Sequence, residues 1–152
     1  MIKSDYIILG AGASGLLLAY RMSKDSYFDD KSILIIDQVK DKGNDRTWCY
    51  WEEFQGEWDD ILTKKWSKVF FGSDAFSKKI DISEYNYKMI RSENFYNKLW
   101  ENINLKSNIT FIEDTVQTYS ESKTGVKVVT THSSYLGAKV INSIPKVYYR
   151  SF

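Results

Sequence analysis

The hexapeptide GAGASG, residues 10–15, constrains this chain more than any other stretch. It follows DYIILG, in which Ile7, Ile8 and Leu9 are unbroken by polar residues. It opens a run of good helix formers from Ala13 to about Lys24. An unbroken apolar run predicts a central parallel strand buried on both faces. A second such run, KSILIIDQ over residues 31–38, ends in an acid. Strand, helix and strand in so short a span predict a βαβ unit with a right-handed crossover.

Glycines at 10, 12 and 15 match G-x-G-x-x-G. The pattern is weak alone, but between a strand and a helix it has the context its mechanism needs. Gly10 permits the tight turn, Gly12 lets a pyrophosphate approach the backbone, and Gly15 lets helix and strand pack closely. Ala11 and Ala13 complete the loop, and the helix N-terminus offers its first N–H groups to phosphate. Asp37 lies about 20 residues on, where a carboxylate takes the ribose hydroxyls. The bland alternative is a helix–strand corner that needs small residues, with Asp37 capping a loop. All the parts together favour a dinucleotide site.

A nicotinamide domain would continue to alternate helix and strand. Here a long aromatic region and strand pairs intervene, the layout of an FAD domain. The expected fold is therefore α/β, an FAD/NAD(P)-binding Rossmann-like domain with inserted β-strands and a β-meander, forming one domain over residues 1–152. Within the insertion, KDKGNDR reads as turns, and DRTWCYWEE fits neither a clean helix nor a clean strand. KWSKVFFGS and FSKKIDIS read as two strands joined by a turn at Gly72, Ser73 and Asp74, and YNYKMIR as an extended piece. From Ser92, the expected N-cap, a helix carries Phe95, Leu99 and Ile103 at four-residue spacing. Three or so strands complete the chain.

Composition narrows the function. Lys and Arg total 21 against 20 acids, so no field draws nucleic acid. The single cysteine, Cys49, excludes an internal disulfide and suits a reducing compartment; it reads as an inert packed thiol. A lone histidine with a lone cysteine builds no common zinc site, so no metal is expected. His132 reads as exposed. The N-terminus lacks the pattern of a signal peptide, and no segment reaches the roughly 18 apolar residues of a membrane span. A cytoplasmic protein is expected, with peripheral contact at the inner face of the cell membrane left open. Glu52, Glu53, Glu57, Asp59 and Asp60 around Trp58 read as a solvated face rather than as the source of a proton donor.

YIILGAGASGLLLAYRM, then ILIIDQ, then NDRTWCYWE resembles the N-terminal part of the bacterial lycopene cyclase family, especially the lycopene β-cyclases. DRTWCYWE carries most of that likeness, and YNYKMIRSENFYNKL adds to it. The resemblance implies FAD, kept reduced by NAD(P)H, and cyclisation of the ψ ends of lycopene to β-ionone rings without net redox change. It implies contacts to FAD at Arg46, on the phosphates or ribitol, at Arg91, on the flavin, and at the backbone of Val116, on the adenine. The alternatives for the arginines are an Arg46 paired with Asp45 or Glu52, and an Arg91 that merely flanks a helix. Trp48, Tyr50 and Trp51 either line an isoprenoid cavity or cover the flavin, or they close a core beneath the inserted strands. Family members are much longer and carry their acidic catalytic segment later, so this chain is expected to be an N-terminal portion without the proton donor. Rival readings are a monooxygenase, halogenase or isoprenoid reductase of the same fold, or a non-catalytic dinucleotide-binding piece. Oligomeric state is not legible.

Overall fold

The computed structural model describes residues 1–144; the segment VYYRSF and its neighbours, residues 145–152, lie outside the described residues. The chain divides into two compact units, Met1–Asp41 with Lys98–Phe152, and Lys42–Asn97.

The first unit begins with β1 (Ile2–Leu9), α1 (Ala13–Lys24) and β2 (Ile33–Asp37). The second holds β3 (Thr47–Glu53), β4 (Lys64–Trp66), β5 (Lys68–Ser73), β6 (Phe76–Asp81) and β7 (Tyr85–Arg91). The division falls inside α2 (Ser92–Ile103). Then β8 (Ile109–Glu113), β9 (Val116–Ser122), β10 (Gly125–Thr130) and β11 (Ser134–Asn142) complete the first unit. The predicted βαβ unit is present, and the final stretch contains four strands rather than three or so.

In the first unit six strands form one sheet in the order β8-β2-β1-β11-β10-β9. β8, β2, β1 and β11 run parallel, while β9, β10 and β11 form an antiparallel meander. Alternation sends Ile7 and Leu9 to one face, with Leu34, Ile36, Val128 and Tyr135 in the same core cluster. Ile8 and Ile35, pointing the other way, are equally buried. Both faces are dry, as an unbroken apolar run requires. The helix α1 packs against β1 and buries Leu16, Ala19 and Tyr20.

The second unit holds a three-stranded antiparallel sheet, β3-β7-β4, and a separate hairpin of β5 and β6. Residues 47–53, which looked like neither helix nor strand, are thus a regular strand paired with β7 from Thr47↔Arg91 to Glu53↔Tyr85. The hairpin turns at Asp74 and Ala75, two residues past Gly72. Its aromatic side chains Phe70, Phe71 and Phe76 are exposed. Ser92 is fully buried at the start of α2, and its hydroxyl faces the 43–46 loop. It accepts from the Arg46 N–H at 2.9 Å and donates to the Gly43 carbonyl at 3.2 Å. Among the described residues no helix is long and apolar enough to cross a membrane.

Candidate functional site

The glycine loop lies where β1 ends and α1 begins. Gly10 has φ +97°, a region that disfavours any Cβ, and its N–H continues the sheet to the Ile36 carbonyl at 2.8 Å. A Cβ on Gly15 would stand 1.9 Å from the Gly10 carbonyl oxygen. Close passage of helix over strand therefore demands glycine at 15. Gly12 is different: a Cβ there would meet no atom of the described residues within 4 Å. Its backbone is ordinary, with φ −77°. Packing of the described residues therefore does not require glycine at 12, whereas a ligand approaching the backbone would.

Gly12 is also the N-cap of α1, and no side chain caps the helix. The first turn carries no acid, while Arg21 and Lys24 stand in the last turn, in accord with the helix dipole. A helix start built from glycine and alanine, with no side chain over it, presents N–H groups that suit an anion. Asp37 ends β2 beside the loop. Its Oδ2 accepts from the Ala11 N–H at 2.5 Å, and Oδ1 from the Val39 N–H at 3.3 Å.

Two residues at this end of the sheet carried no sequence signal. Asp114, between β8 and β9, donates its N–H to the Asp37 carbonyl at 2.9 Å. Its buried carboxylate accepts from the Thr130 hydroxyl at 2.7 Å, the Thr115 N–H at 2.7 Å and the His132 N–H at 3.2 Å. It also lies 3.1 Å from His132 Nδ1. These bonds, the Thr130 hydroxyl first, hold the Asp114 carboxyl down at about 2. The His132 side chain is 80% exposed, as expected. Asp114 thus anchors the turn that starts β9, where Val116 packs against the Ile7–Leu9 core cluster. The other residue is Ser143, just past β11, whose N–H and hydroxyl both reach the Leu9 carbonyl at 2.8 Å.

The second unit carries the remaining candidates. Arg46 is exposed, and its Nη1 donates to the Asp45 backbone carbonyl at 3.0 Å. Arg91, also exposed, ends β7 opposite Thr47. The aromatic trio is split by strand alternation. Trp48 meets Phe95 and Tyr96 edge to face, at 5.4 and 5.7 Å between centroids, and Trp58 meets Phe95 at 5.0 Å. Trp51 points the other way, against Tyr87 at 5.0 Å, and is 55% exposed. Cys49 shares that outer face and is exposed rather than packed. A hydrogen bond with Cys49 raises the Tyr87 hydroxyl.

The acidic run is also more than a solvated face. Lys88, on β7, is completely buried, and its ammonium has three acceptors. They are Glu52 Oε2 at 2.8 Å, Asp59 Oδ1 at 2.5 Å and the Phe54 carbonyl at 3.1 Å. Phe54 is the one non-glycine residue with positive φ among the described residues, +48°, and is the residue just after β3. Burial by itself lowers the Lys88 ammonium, but hydrogen bonds and charge from Asp59 and Glu52 outweigh it and raise it. Asp59 is correspondingly held below its ordinary value, chiefly by Lys88. The hydroxyl of Tyr50, the residue paired in register with Lys88, is buried without a hydrogen-bond partner among the described residues, and burial pushes it up. Among the described residues no cluster of three or more His, Cys, Asp or Glu side chains could hold a metal.

The architecture of the first unit defines a Rossmann-like fold of the kind found in flavoenzymes. The chain is similar to p-nitrophenol 4-monooxygenase PnpA from Pseudomonas putida DLL-E4, with TM-score 0.72 and 14% identity, over 93% of this chain and 41% of that one. It is similar also to PqsL, a probable FAD-dependent monooxygenase from Pseudomonas aeruginosa, with TM-score 0.66 and 11% identity, over 91% and 41%. NikD, an amino acid oxidase essential for nikkomycin biosynthesis, gives TM-score 0.66 and 13% identity, over 94% and 51%. At such identities the likeness is one of fold, and the chain spans about half or less of each protein's length. No curated protein sequence matches the chain. The family described as lycopene cyclase protein matches residues 5–145. The chain belongs to the lycopene cyclase family.

Proposed function

We propose that this chain binds FAD at the glycine loop and serves the flavin-dependent cyclisation of lycopene ψ ends to β-ionone rings. The observation that carries the FAD reading is the contrast between Gly15, where packing excludes a Cβ, and Gly12, where only a ligand would. In this reading the pyrophosphate lies against Gly12, Ala13 and the start of α1, and Asp37 takes the adenosine ribose. Family membership over residues 5–145 supports the cyclase reading.

When bound, FAD kept reduced by NAD(P)H would supply an electron-rich group able to stabilise positive charge on the polyene. The protein's task is to fix the dinucleotide and keep water from the cation. Neither Glu52 nor Asp59 suits the role of proton donor, because both are engaged by Lys88 and Asp59 is held ionised.

The reaction type is tested with lycopene in anionic vesicles, FAD and NAD(P)H, in parallel under anaerobic and aerobic conditions, using the full protein. Cyclisation predicts a product of unchanged mass with β-ring absorption. Product heavier by oxygen or two hydrogens, or NAD(P)H consumed one for one with substrate, would assign the protein to oxygenation or reduction instead.

A further inference from the structure

The Gly10–Ala11 peptide is held at both ends. Its N–H, from Ala11, donates to Asp37 Oδ2 at 2.5 Å. Its carbonyl, from Gly10, accepts from the Ser143 hydroxyl at 3.1 Å. That hydroxyl has one proton, shared with the Leu9 carbonyl at 2.8 Å, where the Ser143 N–H also arrives. Ser143 Oγ occupies the corner behind the loop. It would lie 2.7 Å from a Cβ on Gly10 and 2.8 Å from one on Gly15. The two glycines therefore leave room for this hydroxyl as well as for each other.

The consequence is electrostatic. If the Gly10–Ala11 peptide rotated, its carbonyl lone pairs would leave Ser143 and its N–H would leave Asp37. A phosphate beside the loop would then face a misdirected dipole, and an anion is held by N–H groups, not by carbonyls. We propose that Ser143 is a positioning residue for dinucleotide binding: it holds the Gly10 carbonyl to the rear, so that the Ala11 N–H stays on Asp37 and no carbonyl turns toward the pyrophosphate. It does this without touching the nucleotide. The proposal rests on the FAD-binding reading above and adds a residue on the opposite side of the loop from Asp37.

The test is Ser143→Ala in the full protein, titrated with FAD and with ADP, alongside thermal unfolding and amide exchange at Ala11. Losing the hydroxyl should weaken both ligands about fivefold. Equal losses for FAD and ADP place the effect on the part they share. The Ala11 amide should exchange faster while core amides such as Ile8 do not. Ser143→Cys, which fills the corner with a weaker donor, should fall between the two and serves if the alanine variant folds poorly. Unchanged affinity in a folded variant overturns the proposal. So does a loss that only tracks a lowered unfolding midpoint, with Ala11 and Ile8 exchanging alike. A folded wild-type protein that binds neither FAD nor ADP would instead sink the FAD reading itself, a result distinct from either.

Discussion

Gly12 and Gly15 look interchangeable in a motif but have opposite physical reasons for being glycine. Gly15→Ala drives a Cβ into the Gly10 carbonyl and should cost about 1–3 kcal/mol of stability, read as a lower midpoint in urea. Gly12→Ala meets no atom of the described residues and should cost only the N-cap preference, about 1 kcal/mol or less. Asp114 makes a second prediction at this scale. Its folded pKa of about 2 lies below its unfolded value, so its contribution is complete above about pH 4 and disappears as pH falls towards 2. Thermal midpoints should therefore drop across that window, and Asp114→Asn should flatten the drop while lowering stability at pH 7. An unchanged acid limb in the asparagine variant would show that Asp114 does not carry it.

At the scale of elements, β3 shows why part of the fold escaped the sequence. A half-buried strand is recognised by apolar and polar residues in alternation. In TWCYWEE both faces carry aromatics, and the inward set Trp48, Tyr50 and Glu52 ends in a charge, so alternation is invisible. Glu52 points inward because Lys88 waits on β7, a pairing across 36 positions that no local pattern encodes. The βαβ unit was legible because its cause is local, in unbroken apolar runs and glycines. Asp37 was legible by spacing, but Asp114 and Ser143 act through contacts formed only when β9 and β11 close the sheet. Lys88→Ala should destabilise the second unit by about 3 kcal/mol, the low end for a broken buried pair, because Glu52 and Asp59 side chains stay 32% and 27% exposed. Lys88→Met, with a longer apolar chain, should recover part of that. Equal stability of all three forms would mean the three acceptors hold nothing of consequence.

The parallel strands bring β1, β2 and β11 to one end of the sheet, where the loop, Asp37 and Ser143 meet. The central claim is that this end holds a dinucleotide and that Gly12 is glycine for the ligand's sake. The measurement is titration of the wild-type protein and of Gly12→Val with FAD, followed by quenching of flavin fluorescence, with circular dichroism to establish folding. Saturable binding by the wild type and its loss in an equally folded valine variant, whose stability falls by no more than the N-cap preference of about 1 kcal/mol, are expected. Equal binding by both forms, or no binding by a folded wild type, would contradict that claim.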